Sequence, residues 1–370
     1  HPTTDLWCAA YAFDDEEPDV WLPPDPMPQR VRDHVDSGGE IRAYNSQFER
    51  VLWREVLTPR YGWAEPKLEQ YSCVMARAYA LSLPGDLGSA AAAVGLDAQK
   101  DGPGQRLMLQ MCRPRTEKPL VWWDQPDKVD RLVAYCKQDV VVEQQLDKRL
   151  LMLSDKERSV FVLDQRINDR GVRIDRSLCN AAIKVVAATQ DRLDAEMKEL
   201  TKGQVTRCSN VNELIQFLKT QGVETESIAK PALLELLDGD LPDRARRALE
   251  LRQEAAKTST AKIRQMLNRS ERDGFMRGNL QYHGAGTGRW AARGAQLQNL
   301  PRPSQTVDET MLRLLARGDH AAIDMFYGKP LTVVSDCIRS MIVAPEGCEI
   351  FAADFSSIEA RGVAWVAGQQ

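Results

Sequence analysis

Residues 349–360 have the sequence Glu-Ile-Phe-Ala-Ala-Asp-Phe-Ser-Ser-Ile-Glu-Ala, in which an apolar run leads to one carboxylate. The run predicts a buried strand from Glu349 to Phe355 with Asp354 near its end, and a helix after it. A carboxylate that is fixed on a strand yet open to solvent is suited to bind a divalent metal ion for phosphate chemistry. The alternatives are an ordinary aspartate in a turn, and a helix capping box made by Ser356 and Glu359.

A glycine-rich segment lies upstream, with the sequence Tyr-His-Gly-Ala-Gly-Thr-Gly-Arg-Trp at residues 282–290. Its glycines lack the G-x-G-x-x-G spacing and no Lys-Ser or Lys-Thr pair follows, which argues against the common nucleotide-binding loops. We expect a flexible turn that allows close approach of another backbone, with Arg289 beside it and the amides of Gln298 and Asn299 nearby. Arginine and amide side chains suit phosphates and minor-groove acceptors, whereas an ordinary solvent-exposed loop is the alternative.

Four motifs occur in order in the last part of the sequence. They are T-G-R at 287–289, Q-N-L-P at 298–301, R-S-M-I-V-A-P-E-G at 339–347 and A-D-F-S-S-I-E-A-R at 353–361. In this combination the chain resembles the family A (DNA polymerase I-like) DNA polymerases, and the glycine-rich segment resembles their bacteriophage branch. The resemblance extends in order over the whole chain and is strongest from Tyr282 to Gly368.

The resemblance assigns catalytic chemistry to the last of these motifs. It implies that Asp354 binds two catalytic Mg²⁺ ions, for which Mn²⁺ could substitute, and that the Phe355 carbonyl completes the metal site. Glu359 would exclude a ribose 2′-hydroxyl, and Phe355, Ser356 and Ser357 would join it in binding the incoming nucleotide. Two such ions, about 4 Å apart, would activate the primer 3′-hydroxyl and neutralise the leaving pyrophosphate. Ser357 departs from the glutamine that is frequent in the family, but the metal ligand is retained.

The resemblance also implies a DNA-binding surface. From Asp243 to Arg302 the sequence has thirteen basic and five acidic residues, a net charge of +8, whereas residues 1–40 have two basic and ten acidic ones. Basic side chains on a helix that runs along a duplex would bind phosphates without sequence preference, and a solvated helix face is the alternative. The residues expected to contact primer-template DNA are Arg289, Gln298, Asn299, Arg339, Lys257 and Lys262.

Two motifs near the start resemble those of a proofreading 3′–5′ exonuclease. Tyr-Asn-Ser-Gln-Phe-Glu at 44–49 and Tyr-Cys-Lys-Gln-Asp at 135–139 are similar to the second and third motifs of that domain. The resemblance implies that Glu49 and Asp139 bind catalytic metal ions, and that Tyr135, one helical turn before Asp139, orients the attacking water. An ordinary amphipathic helix is the alternative. Glu49 replaces the usual aspartate, and the D-x-E pair of the first motif has no counterpart before Leu6.

The predicted fold is a mixture of α/β and α+β. Short β-like runs at Leu6–Phe13 and Glu40–Tyr44 alternate with helical patterns at Phe48–Leu57 and Val129–Leu151. Leu241–Asn268 is predicted as one long helix with a weak point at Thr258-Ser259-Thr260. The predicted domains are a partial RNase H-like exonuclease domain at 1–152, connecting helices and a thumb at 153–277, and the first part of a polymerase palm at 278–370.

Composition limits the class of protein. A length of 370 residues is enough for two or three domains, and a net charge of −4 argues against a uniformly basic nucleic-acid coat. Eight scattered cysteines without a C-x-x-C pair favour a reducing, cytoplasmic location. No apolar run approaches the roughly 18 residues that a membrane span requires, so no membrane association is expected.

The leading hypothesis is template-directed DNA synthesis by a fragment of a phage-type family A polymerase that carries an exonuclease domain without its first motif. Because the sequence stops before a fingers helix and a second palm carboxylate, we expect this chain alone to bind primer-template DNA but to extend it poorly or not at all. The expected partners are primer-template DNA, deoxynucleoside triphosphates and an unidentified processivity or replisome protein. The alternatives are a stand-alone DEDD-type 3′–5′ exonuclease and a catalytically silent DNA-binding remnant.

Overall fold

The computed structural model describes residues 4–96, 101–117, 119–256 and 260–369. The chain divides into two compact units. The first unit consists of His1–Asp169 and Leu280–Arg293, and the second of Arg170–Asn279 and Gly294–Gln370. The predicted division into exonuclease, thumb and palm domains stays a prediction.

The described strands are short and form two-stranded sheets. β3 and β4 are parallel, with Ile41 opposite Tyr71, whereas β1–β2, β5–β6, β7–β8 and β9–β10 are antiparallel pairs. The strands are β1 (Ala9–Tyr11), β2 (Asp19–Trp21), β3 (Ile41–Ala43), β4 (Tyr71–Cys73), β5 (Thr116–Glu117), β6 (Leu120–Val121), β7 (Val172–Arg173), β8 (Phe275–Met276), β9 (Leu280–Gln281) and β10 (Ala291–Ala292).

Helices make up most of the regular structure. Short 3₁₀ turns add Leu68–Gln70, Leu297–Asn299 and Ile338–Met341, and a π-helical turn spans Trp53–Leu57. The α-helices are α1 (Gln29–Asp36), α2 (Ser46–Leu52), α3 (Thr58–Tyr61), α4 (Val74–Ala80), α5 (Leu87–Ala93), α6 (Gly102–Met111), α7 (Pro126–Arg149), α8 (Asp155–Arg170), α9 (Arg176–Leu200), α10 (Val211–Thr220), α11 (Lys230–Asp238), α12 (Asp243–Ala255), α13 (Thr260–Arg269), α14 (Glu309–Arg317), α15 (His320–Tyr327), α16 (Pro330–Cys337) and α17 (Ile358–Val366).

The long helix α7 organises much of the first unit. Pro126 occupies its first turn, where no intrahelical hydrogen bond is lost, and the helix packs against α4, α5 and α6. Val142 and Leu146 are fully buried in the core that α7 shares with α4 and α5. The predicted helix Val129–Leu151 is therefore confirmed, and the helix periodicity places Tyr135 and Asp139 on one face.

A cluster of tryptophans forms a second core in the first unit. Trp63 contacts both Trp21 and Trp53 edge to face, with ring centroids 5.2 Å apart in each pair. The Trp53 indole also donates a 2.8 Å hydrogen bond to the Ala64 carbonyl. This packing supports α2 and the π-helical turn that continues it, so the predicted helix Phe48–Leu57 is confirmed. The two predicted strands are confirmed in shortened form as β1 and β3.

The second unit is mainly helical and is centred on α9. This helix packs against α12, α13, α14 and α16 around a core that includes Val185, Leu193 and Met197. The Asp175 carboxylate caps α9 by accepting a 2.8 Å hydrogen bond from the Leu178 backbone N–H. Together the two units confirm a mixed helix and sheet fold, while the RNase H-like assignment stays a prediction.

The predicted helix from Leu241 to Asn268 is wrong as a single element. α12 ends at Ala255 and α13 begins at Thr260, while residues 257–259 lie outside the described residues. Threonine and serine have low helix propensities because their side chains compete for backbone hydrogen bonds. Of the predicted weak point Thr258-Ser259-Thr260, α13 begins at Thr260 and the two residues before it lie outside the described residues.

The predicted buried strand from Glu349 to Phe355 is also wrong. These residues have no strand partner among the described residues, and Phe351 and Phe355 are 89% and 75% exposed. An apolar run forms a buried strand only where a neighbour supplies hydrogen bonds and a packed face, and the local pattern does not reveal that neighbour. The helix after it is confirmed, since α17 begins at Ile358. Among the described residues, no helix is both long and apolar enough to cross a membrane.

Candidate functional site

The glycine-rich segment forms the end of a β-hairpin in the first unit. Residues 283–289, called here the 283–289 loop, connect β9 to β10. Gly288 donates to the Ala285 carbonyl over 2.9 Å, and Ala285 donates to the Arg289 carbonyl over 3.1 Å, so the loop closes on itself. Gly288 has a φ of +75°, and a Cβ at Gly284 would lie 2.6 Å from that of Ala291. Both positions therefore require glycine.

Helix α8 holds both ends of this hairpin. At one end the Tyr282 hydroxyl donates to the Glu157 carboxylate, and at the other the Trp290 indole donates to Asp164 over 2.7 Å. Asn168 of the same helix exchanges two hydrogen bonds with the backbone of Leu280, at 2.9 and 3.1 Å. These contacts fix the loop that exposes Arg289 to solvent.

A second group of predicted residues comes together in the second unit. The Lys262 ammonium donates a 2.6 Å hydrogen bond to the Asn299 carbonyl. The Arg339 guanidinium donates to the Leu300 and Pro301 carbonyls over 3.0 and 2.9 Å. Both cations thus support residues 297–301, called here the 297–301 turn. Each keeps further N–H donors for another acceptor, because an ammonium has three and a guanidinium five.

The exposed side chains of the 297–301 turn are those that the sequence predicted to bind DNA. Gln298 and Asn299 are exposed, as is Arg339, so two amides and two cations lie in one region of the second unit. This arrangement suits contact with phosphates and sugar edges. Lys257, the remaining predicted DNA contact, lies outside the described residues.

The predicted polymerase residues near the end of the chain lie on an exposed segment. Asp354, Phe355, Ser356, Ser357 and Glu359 are all exposed. Helix α17 has Ser357 as its N-cap, with φ of +52° and no side-chain capping hydrogen bond. The alternative of a capping box made by Ser356 and Glu359 is therefore wrong.

The predicted nuclease residues lie in the first unit, on α2 and α7. The Tyr135 hydroxyl and the Asp139 carboxylate are hydrogen-bonded, and burial together with that bond raises the pKa of Tyr135. Burial raises the pKa of Glu49 to about 7. Its Oε2 atom is buried and finds no hydrogen-bond partner within the described part of the chain.

Glu143 is a further carboxylate of this region that the sequence analysis missed. Burial, and next the negative charge of Glu49, raise the pKa of Glu143 well above its ordinary value, and Asp139 adds to this effect. The sequence signal was available, because Glu143 follows Asp139 by four residues on α7 and so shares its face. In the first unit, Glu49 and Asp139 therefore both act on the pKa of Glu143.

The donor chemistry of these residues fits a hard divalent cation, because carboxylate oxygens are the ligands that Mg²⁺ prefers. The buried, unpartnered Glu49 oxygen is a group whose charge a cation would compensate. In the ranges that the structure describes, however, no three histidine, cysteine, aspartate or glutamate side chains are arranged to hold one metal ion. The described residues therefore fit Mg²⁺ in kind, but they do not by themselves form a complete metal site.

Comparison with known proteins identifies one that is similar to this chain over its whole length. The chain is 35% identical to a protein named DNA polymerase from Bacillus phage SP02, over 387 aligned positions. The chain is similar to a phage DNA polymerase. The aligned region covers 100% of the chain but 58% of the phage DNA polymerase, so the chain spans less than two thirds of that relative's length. No protein-family model matches the chain.

Proposed function

We propose that this chain is part of a template-directed DNA polymerase of family A and binds primer-template DNA. The observation that carries the proposal is the 35% identity with a phage DNA polymerase over the whole chain. A likeness confined to one unit would support a single binding module, whereas this one includes the segments with Arg289, Asn299, Arg339 and Asp354.

Two surfaces support contact with a nucleic-acid backbone. In the first unit, Arg289 is presented on a loop whose ends are hydrogen-bonded to α8. In the second unit, the amides of the 297–301 turn lie beside Lys262 and Arg339. Both surfaces combine cations with backbone that is held in place, so binding would not have to order these segments first.

For the synthetic reaction, we propose that Asp354 contributes a carboxylate to a Mg²⁺ site, at which Mn²⁺ would also bind. Its exposed carboxylate is open to a metal ion and to a nucleotide. When bound, the metal would lower the barrier to attack by the primer 3′-hydroxyl on a deoxynucleoside triphosphate. Glu359 lies in the same exposed segment and would exclude a nucleotide that carries a ribose 2′-hydroxyl.

Salt-dependent binding tests the DNA-binding part of the proposal. The affinity of the chain for a fluorescently labelled primer-template duplex is measured by anisotropy across a salt series. Arg339→Gln is expected to make the slope of log K against log salt shallower by about 0.9, the contribution of one phosphate contact. Arg313→Gln is the matched control, because Arg313 is a second-unit arginine outside the basic segment 243–302 that pairs with Glu309 on the surface. Equal slopes for the two variants would contradict the assignment of Arg339.

Primer extension tests the synthetic part. Metal-dependent incorporation by this chain, lost in Asp354→Ala, would support a polymerase site at Asp354. Asp319→Ala is the control, because Asp319 is an aspartate of the same unit that caps α15 instead. DNA binding with little or no incorporation is the result expected of a polymerase fragment and does not separate it from a catalytically silent DNA-binding remnant, whereas incorporation that Asp354→Ala leaves unchanged would contradict the assignment of Asp354.

We propose 3′–5′ exonuclease activity as a second function of the first unit. The buried, unpartnered Glu49 oxygen and the hydrogen-bonded Tyr135 and Asp139 pair support it. Degradation of 3′-labelled single-stranded DNA that requires Mg²⁺ or Mn²⁺ and disappears in Asp139→Ala is the expected result. Asp127→Ala, at the exposed start of the same helix, is the control. No cleavage by the wild type with either ion would remove this proposal.

A further inference from the structure

Asp164 is a buried carboxylate in the middle of α8. It is 1% exposed and accepts hydrogen bonds from Trp290 at 2.7 Å, Gln165 at 2.9 Å and Asn168 at 3.2 Å. A charged group is costly to bury unless its oxygens are satisfied, and here three donors satisfy them. A buried carboxylate at such a position calls for an explanation beyond packing.

The donors of this carboxylate lead directly to the 283–289 loop. Trp290 is the residue after Arg289, so the indole fixes the backbone at one end of the loop. Asn168, which donates to Asp164, also binds the backbone of Leu280 in the opposite strand. Asp164 therefore lies at the centre of a hydrogen-bonded network that joins both strands of the hairpin to α8.

Aromatic contacts also hold the hairpin against α8. Tyr282 contacts Trp290 edge to face, with centroids 6.0 Å apart, and Phe161 of α8 contacts Tyr282 in the same way at 5.7 Å. Trp290 nevertheless remains 42% exposed. One edge of the indole is thus fixed by Asp164 while part of the ring faces solvent beside Arg289.

We propose that Asp164 is a positioning residue for DNA binding. It orients Trp290 and thereby the 283–289 loop, which contains Arg289. The inference rests on the proposed function, because it concerns the loop that we propose to bind primer-template DNA. Asp164 does not touch DNA itself. When the Asp164 carboxylate is replaced, the 283–289 loop keeps its glycines and Arg289, but the hydrogen bond between Trp290 and position 164 is weakened. DNA binding must then also order the loop.

The variants that test this are Asp164→Asn, which keeps the size of the side chain, and Trp290→Phe, which removes the indole N–H. Trp53→Phe is the matched control, since it removes an indole hydrogen bond of 2.8 Å elsewhere in the same unit. Each is assayed for its Kd with a primer-template duplex. Trp290→Phe removes the hydrogen bond to a charged group, and Asp164→Asn removes the charge of its acceptor. We expect each to raise Kd about tenfold, and Trp53→Phe to leave it unchanged.

The double variant separates positioning from general destabilisation. If Asp164 acts through Trp290, combining the two substitutions should raise Kd by about the same tenfold as either alone, because the charge at position 164 no longer matters for Trp290 once the indole N–H is absent. A roughly hundredfold increase would mean independent effects and would overturn the inference. If Asp164→Asn does not fold, a Trp290→Phe protein that folds and binds DNA as tightly as the wild type would overturn it equally.

A spectroscopic readout follows the loop directly. In protein labelled with 5-fluorotryptophan, the Trp290 resonance is identified by its absence in Trp290→Phe. Asp164→Asn should shift that resonance and leave the Trp53 resonance in place, and an unmoved Trp290 resonance would contradict the inference. Wild-type protein that binds no primer-template DNA would defeat the proposed function, whereas tight wild-type binding that Asp164→Asn leaves intact would defeat this inference alone.

Discussion

Replacing Glu49 by glutamine is predicted to stabilise the protein at neutral and alkaline pH. The pKa of Glu49 is raised from 4.5 to about 7 because burial disfavours its charged form. The folded state therefore holds this proton more tightly than the unfolded state. Stability from this group is fully present below pH 4.5 and is lost as the pH rises through about 7.

The size of the effect follows from the two pKa values. Their difference corresponds to about 3 kcal/mol of unfolding free energy, which is lost by the wild type between pH 4.5 and about 7. Glutamine does not ionise, so the Glu49→Gln protein avoids this loss. At about pH 8 the variant should be more stable by up to about 3 kcal/mol, and at pH 4.5 the two proteins should differ little.

The assay is urea unfolding across this pH range in a buffer that contains a metal chelator. Glu55→Gln is the control, because Glu55 is an exposed glutamate in the next helical turn that pairs with Arg54. Its unfolding free energy should stay within about 1 kcal/mol of the wild type at every pH. If the unfolding free energy of Glu49→Gln had the same pH dependence as that of the wild type, the assignment of a buried, costly carboxylate at this position would be refuted.

Two further substitutions have matched controls within the chain. Arg77→Met removes a 2% exposed guanidinium that pairs with Asp147, and it should lower the unfolding free energy by about 3–5 kcal/mol in urea titrations. Arg42→Met removes an exposed arginine that also pairs with Asp147, and it should lower the unfolding free energy by about 1 kcal/mol or less. Gly288→Ala, at a φ of +75°, should lower thermal stability by about 1–2 kcal/mol, whereas Gly286→Ala, whose Cβ would meet no atom within 4 Å, should be close to neutral. Equal losses within either pair would contradict the reasoning.

The elements that the sequence predicted well are those with strong local signals. Helix α7 has a proline in its first turn and an apolar face over 24 residues, and both features act over a few positions along the chain. The strands β1 and β3 were located correctly but are only 3 residues long, because their pairing partners limit them. The apolar run from Glu349 to Phe355 failed for the same reason: strand formation depends on a partner that local sequence does not identify.

In the candidate site, too, contacts between residues that are distant in sequence could not be predicted. The motifs identified Arg289, Asn299 and Arg339 as residues of interest, and the structure shows what supports them. Asp164 and Trp290, by contrast, are separated by 126 residues in sequence, so no local pattern relates them. Glu143 was predictable from its helical spacing to Asp139, but the effect on its pKa of Glu49, which lies on another helix, was not.

The central claim, that this chain binds primer-template DNA as part of a polymerase, is tested most directly by equilibrium binding of the wild-type protein. Its affinity for a labelled primer-template duplex should fall linearly on a plot of log K against log salt, since basic residues would displace counterions from phosphates. The labelled duplex should also be displaced less readily by a blunt duplex of equal length than by unlabelled primer-template. Absence of binding at low salt, or equal displacement by the two competitors, would contradict the claim.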